Sequence, residues 1–433
     1  MRVALFALLW LLAPVAAAAA AAHVVVIDPA NGPGTDYTSI TAYLLDVPAN
    51  GDVLLLRSGT YPGGVVSGGL TLSFVADAGA DVQLVNNGTG VFGGNALMVG
   101  ANGGGAALVR GLTFSTPEEG GVPLAVIGSD GPVSLVFVEE CSVPTSGAAG
   151  ATFGNAGRTV ISRCSFHGSI ADETGGSTVY GIEGKPGAVV SQGRVAIFGS
   201  EFVGGRGLDA GLYGGEPLDA MAGSPGIMTL DGTSAVKLVS GTVLTGGTGG
   251  DGAFPGGCLA PGDGGDGVLV LSGSGVKAVA VSGALAAGGI AAPGCGSNGA
   301  TGALLDHFPS AEAPAALPGT PATVVLSRVV REGQSASLTL QNAGGHYVAL
   351  LIGYAPQFTY LEKFNGVLAV SASQVIDIGT LPGPGSVTFS VTVPQLGAGV
   401  DSLIVYVQPL SLDPQGHKVL GVPSAMLMLD NSF

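Results

Sequence analysis

The sequence predicts an all-β chain in two parts: a coil of stacked parallel strands, then a small antiparallel β-sandwich. Three observations carry this. First, a phrase recurs along the first two-thirds of the chain: a short apolar strand, a one- or two-residue kink, a second apolar strand, then glycine. Its clearest copy is Val160-Ile161-Ser162-Arg163-Cys164-Ser165-Phe166-His167-Gly168. Others are Val109 to Phe114, Phe137 to Val143, Ile197 to Phe202 and Val239 to Val243. Such repetition marks a chain that winds and stacks on itself. Second, the chain has 77 glycines in 433 residues, and only 10% of residues are charged, against about 25% in average proteins. An apolar, glycine-rich chain suits many short strands joined by tight turns. Third, beyond residue 322 the glycine rhythm gives way to alternating runs such as Ser335-Ala336-Ser337-Leu338-Thr339-Leu340, the period-2 pattern of a half-buried strand.

Residues 1–22 read as a secretory signal peptide. Arg2 is followed by an apolar run from Val3 to Val15, and Ala16 to Ala22 offers A-x-A cleavage sites. The run falls short of the about 20 residues that a membrane span needs, and no later segment is longer, so the expected destination is secretion or the cell-envelope surface. The formal net charge is −16, and the 14 Lys and Arg residues form no basic run. Nucleic-acid binding needs clustered cations, so that class is excluded.

Residues 23–308 hold the coils. His23 to Ile27 is the first strand. Ser39 and its neighbours offer helix caps before Ile40, Leu44 and Val47, spaced i, i+4, i+7. Gly51-Asp52 turns into the strand Val53 to Leu56, and Gly59 to Gly64 is the next turn. Strands follow at Val65-Val66, Leu70 to Val75 and Val82 to Val85. From 204 to 300, glycine-rich loops separate the strands, so each unit is either two short coils or one coil with a long loop. Residues 309–322, rich in Pro and Ala, read as a linker. Residues 323–433 give about seven strands, as in a β-sandwich.

Four cysteines lie in a chain expected to be exported, so two disulfides are expected: Cys141 with Cys164, and Cys258 with Cys295.

Ile40, Gly51-Asp52-Val53 and Gly59-Thr60-Tyr61 together resemble the opening of right-handed parallel β-helix proteins of the pectin-lyase-like class. In these a short helix caps the first coil, and a G-D-x-hydrophobic strand ends in a G-x-Y turn. Cys164-Ser165-Phe166-His167-Gly168 is similar to their internal coils. The resemblance covers residues 23–305 and implies a right-handed parallel β-helix. It leaves activity open, because the class includes lyases, hydrolases, esterases, adhesins and inert spacers. The sandwich resembles the C-terminal tails of exported bacterial proteins. Stacking Phe166 on Val143 and Phe114, at the strand spacing of about 4.8 Å, also places Cys164 over Cys141 and Arg163 over Glu140. That last pair is expected to be a surface ion pair. Further along, Val243 is expected over Phe202, and Leu285 over Val243.

Enzymes of this class work through carboxylates and a base on the outer face of the stack. Hydrolases need two carboxylates roughly 5–9.5 Å apart. The candidate cluster is Glu139, Glu140, Arg163, His167, Asp172 and Glu173, with a solvated polar face as the alternative. Gly246 to Phe254 fits the calcium nonapeptide G-G-x-G-x-D-x-U-x apart from Ala253, and Pro261 to Val268 is a near-match. Asp251, Asp263 and Asp266 are the ligands this would imply, but such sites need tandem copies. No histidine pair has metal-ligand spacing, no G-x-S-x-G elbow occurs, and no cofactor is implied. Tyr347, Tyr354, Phe358, Tyr360 and Phe364 form either a sugar-stacking platform or a packed core. The functional expectation is an exported, non-catalytic β-helix module, structural or binding extracellular polysaccharide or a surface protein. The alternative is a polysaccharide lyase or glycoside hydrolase.

Overall fold

The computed structural model describes residues 22–433 apart from 47, 67–69, 87–94, 100–105, 117–121, 128–134, 145–148, 155–156, 170–183, 214–215, 231–236, 255–256, 273–275, 292–294, 310 and 384. Residues 1–21, of the segment 1–22 read as a signal peptide, lie outside the described residues.

The first part is a parallel β-helix with three sheets, of ten, eight and seven strands. A complete coil visits each once. In one coil these are Leu135–Glu139 in the ten-stranded sheet, Ser142–Val143 in the seven-stranded sheet and Ala151–Gly154 in the eight-stranded sheet. The expected register holds: Val143 stacks on Phe166, and Ser142 stacks on Thr113, which carries Val143 over Phe114. Further along, the expectation slips, by one residue and then by three. Phe202 stacks on Leu244, not Val243, and Val243 meets Ser282, not Leu285. Leu244 is the buried residue and Val243 the exposed one, so the core selects the neighbour the sequence reading passed over.

The helix Ile40–Leu45 packs its buried face, Ile40 and Tyr43, at the start of the coils. Ser39 caps it by accepting the amide of Ala42 at 3.1 Å. The segment read as a linker carries a strand, Ala315–Leu317, which pairs in parallel with Val276–Val279 as the last rung of the ten-stranded sheet.

Each glycine-rich unit is one coil with a long excursion between the seven- and eight-stranded sheets. The excursions run as extended segments that hydrogen-bond every third residue to a neighbour. Gly204, Gly207 and Ala210 donate to Thr245, Thr248 and Asp251, while Gly223 and Gly226 donate to Asp263 and Asp266. Crossing bonds join the two columns: Ser224 donates to Gly205, Gly247 to Ser224 and Gly265 to Gly247, each between 2.8 and 2.9 Å. The spacing is that of polyproline-II chains, with three residues per turn and no bonds within a segment. Neighbouring segments supply the partners. A methyl group at Gly247 would fall on the carbonyl of Gly205, so this position admits only glycine.

The second part is a β-sandwich of a three-stranded and a six-stranded sheet. The six-stranded sheet lies on the outer face of the ten-stranded sheet of the β-helix. There Val24, Val26, Val53, Leu55, Leu108, Phe137, Val160 and Phe198 pack against Phe358, Val367, Tyr406, Val422 and Leu427. Phe137 and Tyr406 meet edge-to-face at 5.3 Å. The ten-stranded sheet is therefore apolar on both faces, which is why its strands read VVVI and VLLL without alternation. Phe358 and Tyr360 belong to this packing. The Lys277 ammonium lies 4.4 Å above the Tyr360 ring.

Candidate functional site

From the strand Ala106–Arg110 onward, the coils leave the ten-stranded sheet through one residue at positive φ. Gly111, Glu140, Arg163, Gly199, Gly241 and Ala280 take this corner, with φ between 47° and 75°. The left-handed conformation costs a non-glycine residue about 1–2 kcal/mol, so Glu140 and Arg163 need a return.

They find it in a charged network under the sandwich. Arg163 donates to Glu139 at 2.5 Å, Glu140 at 3.0 Å and the Ser424 hydroxyl at 2.9 Å. Its other nitrogen reaches the carbonyl of Val324 at 2.7 Å. Arg110, missed by the sequence reading, lies 3.0 Å from Glu139, donates to Glu140 at 3.2 Å and reaches the Leu326 carbonyl at 3.1 Å. Arg328 adds a third guanidinium, 3.4 Å from Glu140. The Ala425 amide donates to Glu139 at 3.0 Å. Arg110 and Glu139 are 0% exposed. Burial pushes the Glu140 carboxyl up, but Arg110 and Arg163 outweigh it and hold it at about 2. Burial opposes the charge on Arg163, and Glu139 and Glu140 overcome it, keeping that guanidinium above its usual value.

The expected surface pair Glu140–Arg163 therefore exists, but it is half-buried and joined to the fully buried Arg110 and Glu139. Continuous apolar strands beside it draw the sandwich over this face and seal Arg110 and Glu139 beneath. A substrate has no approach to Glu139. His167 is elsewhere, on the outer face of the seven-stranded sheet. There Ser165 Oγ lies 3.2 Å from His167 Nε2 and donates to Glu201 at 3.1 Å. The cluster of six does not assemble: Glu139, Glu140 and Arg163 come together, His167 does not join them, and Asp172 and Glu173 lie outside the described residues.

Asp251, Asp263 and Asp266 each face the glycine lattice. Their carboxylates accept the amides of Ile290, Ala300 and Ala303 at 2.7, 2.7 and 2.8 Å. In a polyproline-II lattice every third amide points outward, and these side chains cap it.

The Cys258–Cys295 disulfide is present, with Cα atoms 5.0 Å apart, joining two of these excursions. The expected Cys141–Cys164 bond is not: both are buried free thiols in the apolar core of the coils. Each thiol donates instead to a backbone carbonyl, Cys141 to Glu139 and Cys164 to Ser162, both at 3.4 Å. Burial pushes the Cys164 thiol well above its ordinary value, so the nucleophilic thiolate is suppressed. Thiol titration is expected to find two sulfhydryls after unfolding and none before; four would remove the Cys258–Cys295 bond, and none after unfolding would restore the Cys141–Cys164 bond.

A polar cavity of about 500 Å3 at the first coil escaped the sequence reading. It is lined by His23, Asp36, Tyr37, Tyr43, Asp46 and Asp52. Tyr43 donates to Asp52 at 2.5 Å and Tyr37 to Asp46 at 2.6 Å. Asp36 accepts the Val26 amide at 2.8 Å. Burial, then the Asp52 carboxylate, drives the Tyr43 phenol well up, fixing it as a donor. The lining is scattered across residues 23–52, and no motif links them.

No family model matches this chain, and neither does any curated protein. Among solved structures, the chain is similar to a superoxide reductase (neelaredoxin) from Ignicoccus hospitalis at 11% identity. That match covers 25% of this chain and 80% of the other, with a TM-score of 0.15.

Proposed function

We propose that the protein is an exported, non-catalytic β-helix module of the pectin-lyase-like kind. It acts as a rigid scaffold that binds polysaccharide or a surface partner without transforming it. One observation carries the reading: the densest ionisable constellation among the described residues of the stack, Arg110, Glu139, Glu140 and Arg163, is bonded into the sandwich. A catalytic β-helix needs such groups facing solvent. Here they fasten two apolar sheets together. The disulfide supports export.

The cavity at the first coil favours a second reading, hydrolysis or elimination on a polysaccharide, because carboxylates, phenols and an imidazole converge there. The experiment that separates the two incubates the protein with a panel of acidic and neutral polysaccharides. It measures retention in affinity electrophoresis, new reducing ends and unsaturated products. The scaffold reading expects retention without product. Product formation that Asp52→Asn abolishes would establish the enzymatic reading instead.

A further inference from the structure

We propose that the protein forms a two-fold dimer by antiparallel pairing of the strand Ser386–Thr392 with its copy, joining two three-stranded sheets into one. The argument begins with the free edge. Among the described residues, Ser386–Thr392 ends the three-stranded sheet and pairs on one side alone, with Ser335–Gln341, through seven unbroken partners from Ser335–Thr392 to Gln341–Ser386. Bonds at either end of this ladder fix which amides it uses. Val393 donates to Gln334 at 2.8 Å, and Asn342 donates to Gly385 at 2.7 Å. In an antiparallel ladder bonded residues alternate. Val387, Phe389 and Val391 therefore spend their backbone groups inward, while Ser386, Thr388, Ser390 and Thr392 aim theirs away. Those four are exposed.

Native edges carry Lys, Pro, a bulge or a cover against such pairing. The neighbouring edge strand, Gln374–Thr380, has a bulged register and Asp377. The far edge, Thr323–Leu326, is bridged to Val422. Among the described residues, Ser386–Thr392 has none of these devices.

The occupant is read from the sequence of the edge. Pro384-Gly385-Ser386-Val387-Thr388-Phe389-Ser390-Val391-Thr392-Val393-Pro394 is a mirror pattern centred on Phe389. A two-fold axis at Phe389 sets Ser386 against Thr392, Thr388 against Ser390 and Val387 against Val391. It also places the outward amides and carbonyls of one copy opposite those of the other, as bonded pairs, giving about eight hydrogen bonds. A closed two-fold interface must be self-complementary, and this strand is. The stretch carries no charge to repel its copy, and the half-buried Val387, Phe389 and Val391 gain cover.

The test is light scattering of the full chain after size exclusion, over a range of concentrations. The expected mass is twice that of the monomer. Ser390→Pro removes an amide the monomer does not use and is expected to give the monomer mass with an unchanged circular dichroism spectrum. Should that variant unfold, the doubly substituted Thr388→Lys, Ser390→Lys form is read instead; its side chains stay in solvent, and it too is expected to be monomeric. Phe389 faces itself at a non-bonded pair, where Cα atoms lie about 4.5 Å apart, within disulfide reach. Phe389→Cys is therefore expected to cross-link spontaneously, and Val387→Cys, which faces Val391, is not. A monomeric wild type, a dimer that survives the lysine pair, or equal cross-linking at both positions overturns the proposal.

Discussion

Replacing Glu139 with alanine is expected to destabilise the protein by about 3–5 kcal/mol, the cost of leaving a buried ionic group without its partner. Glu139 neutralises Arg110 and Arg163 and also accepts the Ala425 amide from the sandwich. Without it, three guanidiniums share Glu140 under an apolar cover. Urea unfolding followed by circular dichroism measures the change, and a loss below about 1 kcal/mol, the value of an exposed pair, contradicts the buried placement. Acid acts on the same network. The Glu140 carboxyl is held at about 2 in the folded protein against an ordinary 4.5. A lowered folded value means stability that is present above pH 4.5 and lost as pH falls toward 2. Melting temperatures between pH 6 and pH 2 should fall through that window, and Glu140→Gln should flatten the fall.

Gly247→Ala is expected to cost at least about 3 kcal/mol, the top of the range for overpacking. The added methyl group meets the backbone of Gly205, which cannot step aside because it is bonded to Lys185 and Ser224. Two bonds of the lattice pass through this residue, Gly247 to Ser224 and Gly265 to Gly247. The adjacent Thr248 is exposed, and Thr248→Ala should stay within about 0.5 kcal/mol. Urea midpoints of the two variants decide the matter. Equal effects would mean that the glycine segments are loose loops.

The stack was legible because its inward residues are large and repeat. Phe114, Val143 and Phe166 fixed a register that the structure keeps. The slip at Leu244 arose where two apolar residues, Val243 and Leu244, stood side by side and sequence could not say which faced in. The glycine excursions were visible as composition, but their order comes from bonds between segments tens of residues apart, which no local pattern records. The charged network was half legible. Stacking brought Arg163 over Glu140, and the same register of Val143 on Phe114 sets Glu139 on Arg110, a pair the reading passed over; the sandwich carbonyls come from distant positions. A signal for the cover did exist: the first two strands of the ten-stranded sheet run apolar without a break, while Leu112–Ser115 in the seven-stranded sheet alternates. An outer face that is also apolar needs a partner.

Ser162 offers the most direct measurement of that cover. It is 0% exposed, and its hydroxyl donates to the Pro423 carbonyl at 2.7 Å across the junction of β-helix and sandwich. In Ser162→Cys, a thiol-specific reagent should label nothing in the native protein and three sulfhydryls after unfolding: the new one, Cys141 and Cys164. Rapid labelling of one thiol in the folded protein would show that face open to solvent. Glu139, Glu140 and Arg163 would then line an accessible groove, and they would return as candidates for chemistry.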